Sequence, residues 1–356
     1  HGARAVEERR IGSGFPQVAA YSRDLQLYAG QTSGNNPYVT NVATGNFLHG
    51  DNLVGPAMNI REMAFSSNGH LLATVGDGRL QIWDVRSNRA ESVPMSGVLG
   101  TATSIAFGRS DSVVAVASRG GVGLWDRRSQ TLMNTLSPSG AKPTSSVPRV
   151  LWGAASVAFS HDGKRVAWSV NTSEQSWVVV WDIAQRVEVS RVEAEWVLGF
   201  SPDDTELLSS TDVGKGTLTT NLATGVSRVT TPSKPNQPPE VTQGQPWTVA
   251  SIQGLGASVE ASGAITLWDV RSAQPIARAS IHGASHLARL AFDPSGRRLA
   301  ISPPGGKLIL IDTDIETWVA RVCERASIPL GDTEWAQFVG DRPKTAPRAC
   351  SSKIAP

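Results

Sequence analysis

No run in this chain approaches the roughly 18 consecutive apolar residues of a membrane-spanning helix, so no membrane insertion within it is expected. An excess of one charge is also missing. The net charge is +2 over 356 residues and the basic side chains are scattered, which lacks the clustered footprint of a nucleic-acid binder. Motifs that carry chemistry are equally scarce. There is no His-Glu-x-x-His metal site and no Gly-x-Ser-x-Gly nucleophile turn. Gly214-Lys215-Gly216-Thr217 has Ser209 in place of a phosphate loop's first glycine and no following helix, so it reads as a β-turn. Gly254-Leu255-Gly256 fails the dinucleotide fingerprint for the same reason. His282 and His286 have helical ligand spacing but fall in a strand-to-strand connection with no acidic or Cys partner nearby, and read as solvated turn residues. No carboxylate pair stands out by spacing. No catalytic residue, cofactor or metal is assigned.

What the chain does contain is one unit, copied. In Arg61 to Ser87 three short apolar runs (Met63 to Phe65, Leu71 to Val75, Leu80 to Trp83) alternate inward and outward side chains. They are separated by Asn68-Gly69 and Asp77-Gly78, which predicts three antiparallel strands joined as a meander. The position of Trp83 recurs as Thr40, Trp125, Trp181, Thr220, Trp268 and Ile311. A first-strand aromatic or its substitute recurs as Tyr21, Phe65, Phe107, Phe159, Phe200, Ser251 and Phe292, each preceded by Ala or Gly. Two registers thus agree on seven units with a period near 40 residues. Because one meander cannot bury both faces, the units must stack.

The segments QIWDVRS, VGLWDRR (Val122 to Arg128), VVVWDIA (Val178 to Ala184) and ITLWDVR (Ile265 to Arg271) resemble WD-repeat blades. The resemblance implies an all-β, seven-bladed WD-repeat-like β-propeller over residues 1–314. Three units depart from the pattern, with Thr40-Asn41, Thr220-Asn221 and Ile311-Asp312, and none has the Gly-His that usually begins a repeat. The family's buried Asp/His/Ser/Trp network is therefore expected to be incomplete, although Asp77 lies where its turn aspartate would be.

The seventh unit has three strands of its own, and the segment near residues 5–11 is expected to supply its outer strand and remove two exposed sheet edges. Since the chain opens with His1 rather than Met, it is expected to be a fragment or processed product. Two Ser/Pro-rich excursions, Ser137 to Arg149 and Thr231 to Pro246, read as surface loops able to contribute to a binding face. After Ile311 the spacing of Ile315, Trp318, Val319, Val322, Cys323 and Ala326 becomes helical, and Asp332 to Val339 suggests a second helix. Residues 315–356 are thus expected to be a short helical tail packed on the propeller. The stretch DIETWVARVCERASIPLGDTEWAQFVG with distal Cys350 resembles the ending of propellers in actinobacterial multidomain regulators of the STAND NTPase class.

Cys323 and Cys350 are the two cysteines, in a tail with no other staple, and are expected to form a disulfide stabilising it by about 3 kcal/mol. Such a bond implies an extracytoplasmic setting, whereas free thiols imply the cytoplasm. The working face is expected where tryptophans gather. Trp196 and Trp247 lie four positions before the first-strand markers Phe200 and Ser251 of units five and six, and Trp152 and Trp177 flank the fourth unit, on its long entry loop and between its second and third strands. Together they suggest a patch for a protein or peptide ligand, because Trp is enriched at interface hot spots. The reading is a non-catalytic, monomeric recognition or scaffolding propeller, by resemblance the sensor end of a larger bacterial signalling protein. The alternative is a propeller hydrolase or lyase with its site over the central channel.

Overall fold

In the second unit the strands Ile60–Phe65, Leu71–Gly76, Arg79–Asp84 and Arg89–Pro94 form one antiparallel sheet in sequence order. The Asp77-Gly78 connection is a two-residue hairpin with positive φ at both positions (47° and 70°), which matches the right-handed twist of the flanking strands. The Asn68-Gly69 connection is different: only Gly69 has positive φ (72°), and its N–H donates to the Ser66 carbonyl within a longer loop. This computed structural model describes residues 6–313 apart from 11–17, 50–52, 56–57, 95–101, 119–120, 137–156, 172–175, 211–216, 231–247, 253–254, 260–263, 270–273, 281–287, 304–306 and positions 33, 202 and 294. The expected tail helices lie outside the described residues, among which every regular element is a strand.

Seven such sheets are present. Their first strands contact one another in a closed cycle, from Ala19–Tyr21 through the first strands of sheets two to seven and back. The architecture is a seven-bladed β-propeller whose first strands surround the axis. The seventh blade consists of Arg289–Phe292, Arg298–Ser302 and Lys307–Asp312, with Val6–Arg10 as its outermost strand. That strand pairs in register from Val6↔Ile311 to Arg10↔Lys307. The first blade has three strands, and its fourth place is filled irregularly. The Thr40↔Phe47 bridge and the bonds Leu48 N–H to Val39 O and Leu53 N–H to Pro37 O cover its outer side.

The core lies between blades. Leu72 and Trp83 face blade one, packing with Ala29 and Val39, while Ala73, Val75 and Ile82 from the same strands face Ile105 and Val116 of blade three. Middle strands buried on both faces explain why Leu71–Gly76 and Gly121–Asp126 read as near-continuous apolar runs. The first blade shows how a missing Trp is tolerated. The pair Leu72↔Trp83 becomes Tyr28↔Thr40, so the large ring moves across the ladder. Tyr38 then lies over Gly30, where a Cβ would stand 2.5 Å from the Tyr38 hydroxyl.

The second residue of the Trp-Asp marker has a local role that explains the Thr-Asn units. Asp84 Oδ1 accepts the N–H groups of Arg86 and Ser87. Asn41 and Asn221 accept the matching pairs from Ala43 and Thr44 and from Ala223 and Thr224. A side-chain oxygen at this position is the requirement, and Asp and Asn both supply it. The expected gap in the buried network is only partial. Trp83 Nε1 donates to Thr74 Oγ1 at 3.0 Å, while His49 bonds the Val85 carbonyl and Asp77 accepts the Asn59 N–H at 2.7 Å. In blades three and four the indole nitrogens of Trp125, Trp168 and Trp181 are buried without a partner.

Candidate functional site

The topology gives the ring two different faces. On the turn face lie the connections between first and second and between third and fourth strands. On the loop face lie the connections into each first strand and between second and third strands.

The turn face is occupied by its own hydrogen bonds. In the first turns of five blades a leading Ser or Asp accepts the N–H five residues on: Ser22 from Leu27, Ser66 from Leu71, Ser160 from Arg165, Ser201 from Glu206 and Asp293 from Arg298. Two turns replace the left-handed glycine by aspartate, Asp111 (φ 55°) and Asp204 (φ 58°), and those carboxylates reach the preceding blade. Asp111 accepts the Ser67 N–H at 2.8 Å. Asp204 accepts the N–H groups of His161 (2.7 Å) and Asp162 (2.8 Å), and its Oδ1 lies 2.9 Å from His161 Nδ1. These clamps join blade two to three and four to five. Asp204→Gly keeps the backbone conformation and removes the clamp. It is expected to cost about 1 kcal/mol in urea unfolding, since two exposed N–H groups exchange a carboxylate acceptor for water; a cost near zero would show that the clamp is redundant.

Displaced carboxyl pKa values on this face report turn capping. Hydrogen bonds from the Ser201 hydroxyl (2.6 Å), then the Thr205 hydroxyl and N–H, pull Asp203 down to about 2. Asp84, Asp126 and Asp162 are lowered chiefly by backbone N–H donors at Ser87, Ser129 and Lys164. A carboxyl depressed in the folded state contributes stability that is complete above its unfolded pKa near 4 and is lost as pH falls through the folded value. Thermal stability is therefore expected to fall between about pH 4 and pH 2, and Asp203→Asn to make that acid limb shallower. An identical limb in the variant would remove Asp203 from the account. Among the described residues no group of three or more His, Cys, Asp or Glu is placed to hold a metal, and no helix is long and apolar enough to cross a membrane.

The loop face carries the tryptophans. Trp177 lies within the third strand of blade four (Ser176–Asp182) rather than beside it, opposite Val170 and Glu193. It is half-buried, packed on the cluster between blades three and four, with the Arg191 guanidinium 5.5 Å from its ring centroid. Glu188 holds that guanidinium through two bonds of 2.7 and 2.8 Å. Trp196 opens the first strand of blade five. Its backbone is tied to the same end of blade four, because Ala194 N–H donates to Ser176 O and Val197 N–H to Ser169 Oγ, both at 3.2 Å. The backbone positions of Trp177 and Trp196 therefore meet at one end of adjacent blades. The Trp196 side chain, Trp152, Trp247, Cys323 and Cys350 lie outside the described residues, as do Gly214, Gly254, His282 and His286.

Sequence reading missed the Glu188–Arg191–Trp177 stack and the interblade aspartates. Neither is signalled locally: residues three apart on a regular strand point to opposite faces, and it is the register shift opposite Val180 and Trp181 that brings Glu188 and Arg191 together.

Comparison with known proteins agrees with this architecture. Residues 48–84, which make up the second blade's first three strands and the segment leading into them, match the family model described as "WD domain, G-beta repeat". No curated protein matches the chain. Among solved structures 1762 chains match, so the fold alone selects no partner. One of them, from "Crystal Structure of Mitotic Checkpoint Complex", has a TM-score of 0.65 and 17% identity over 86% of this chain and 91% of its own. At that identity the likeness is one of fold.

Proposed function

We propose that this propeller is a non-catalytic recognition domain that binds a protein or peptide through its loop face, and that it is the sensor or interaction end of a larger bacterial signalling protein. One observation carries the choice of face. The turn face spends its carboxylates and N–H groups on closing turns and clamping blades, whereas the loop face brings Trp177 and Trp196 to one end of adjacent blades. WD40 propellers are typical protein-interaction scaffolds, and the structural neighbour is itself part of a protein complex. The signalling context rests on the likeness of the segment after Ile311 to the endings of STAND-class regulators.

Trp152, Trp177, Trp196 and Trp247 would form the contact patch, each truncation costing about 2 kcal/mol or more where it is a hot spot. The test is affinity capture with the wild-type domain and with a variant carrying Ala at all four positions, matched for thermal stability. A partner retained by the wild type and depleted at least about 30-fold with the variant is expected, the change corresponding to one lost hot spot. Equal recovery of that partner would refute the face. In this setting Cys323 and Cys350 would be bonded and the domain extracytoplasmic. Alkylation without reductant followed by mass spectrometry should then label neither thiol, and two labelled thiols would rule the bond out.

A further inference from the structure

The seam where the ring closes, between blades seven and one, differs chemically from the other interblade cores. Its cluster combines Ala300, Leu308 and Leu310 of blade seven with Tyr21, Tyr28 and Tyr38 of blade one. The rings of Tyr21 and Tyr28 meet edge to face at 5.3 Å, and those of Tyr28 and Tyr38 at 6.1 Å. Three hydroxyls in this seam, Tyr21 Oη, Tyr28 Oη and Ser302 Oγ, are buried with no partner in hydrogen-bonding geometry. They are not scattered: the Ser302 hydroxyl is near enough to both phenols to offset part of the effect of burial on them. Burial pushes both phenols far above their ordinary range, so each remains a donor as well as an acceptor.

Buried hydroxyls in folded proteins are almost always satisfied, and three unpaired in one place imply a shared partner that is itself both donor and acceptor. Toward the axis stands the Arg289–Glu62 ion pair (3.4 Å), whose side chains are 15% and 21% exposed and whose guanidinium acts on Tyr21. Because Glu62 matches the charge of Arg289, the seam has no excess positive charge to hold an anion. No carboxylate is among the three converging groups, so a metal cation has no ligand there. Water is both donor and acceptor and carries no charge, so it meets these requirements.

We propose that the seam between the seventh and first blades is an internal water site, in which one or two molecules bridge Tyr21, Tyr28 and Ser302 behind the Glu62–Arg289 pair. The bridge joins the last blade to the first through polar groups inside the seam. It is tested by a high-resolution crystal structure of the full chain, together with a double-mutant cycle of Tyr28→Phe and Ser302→Ala. Density within hydrogen-bonding distance of all three hydroxyls is expected. The melting-temperature losses of the two variants should be non-additive, the double variant losing less than their sum, because removing one partner already loosens the water. A dry seam, hydroxyls bonded directly to one another, or anomalous density after a bromide soak would each overturn the proposal. Strictly additive losses would do so as well.

Discussion

Removal of residues 1–12 is expected to lower the melting temperature by about 10 °C or more, the largest change open to any short truncation of this chain. The strand Val6–Arg10 pairs along its whole length with Lys307–Asp312 and is the outermost strand of the closing blade. Each ladder hydrogen bond contributes about 1 kcal/mol net, so a five-residue strand represents several kcal/mol. At this chain length each kcal/mol shifts the midpoint by about 2 °C. A second effect should accompany the first. Without its partner, Lys307–Asp312 would present a bare edge built on Leu308, Ile309, Leu310 and Ile311, which invites pairing with another copy. Calorimetry and light scattering across a concentration series check both. An unchanged midpoint in a monodisperse sample would mean that this strand does not hold the ring closed.

Trp168→Ala should cost about 3–5 kcal/mol in urea unfolding, the range for deleting a large aromatic from a core that cannot collapse. Trp168 is fully buried (0% exposed) in the second strand of blade four, opposite Val157 and Val179 and 6.2 Å from the Trp181 ring. It joins Leu124 and Leu136 of blade three to Val166 and Val179 of blade four, so the cavity would open at an interblade boundary. Trp168→Phe separates packing from polarity. It keeps most of the ring and removes an indole N–H that has no partner, so its cost should be less than half that of the alanine variant. A loss below about 1 kcal/mol for Trp168→Ala would contradict a close-packed boundary there.

Much of this architecture can be read from local patterns. Seven copies of a period-two apolar pattern, punctuated by pairs such as Asp77-Gly78, determine seven antiparallel meanders, because strand alternation and turn stereochemistry act over a few residues. The Asp or Asn after each third-strand marker is legible for the same reason: its oxygen bonds N–H groups two and three residues away.

What joins the blades is of another kind. Asp111 and Asp204 look like ordinary turn residues, and only the ring places them against N–H groups 44 and 43 positions earlier. The exchange of Trp for Thr40 makes sense only beside Tyr28 on the neighbouring strand. The Glu62–Arg289 pair spans 227 residues, and the hydroxyls of Tyr21, Tyr28 and Ser302 meet only where the two ends of the ring come together. The sequence alone determined the meander of each blade, since every meander is a solution to short-range constraints, whereas the outer strand of the seventh, Val6–Arg10, comes from the far end of the chain. Which faces meet, which carboxylate clamps which turn and which polar groups share the seam were decided by closure of the ring, which sets residues far apart in the chain against one another in a way no local spacing encodes.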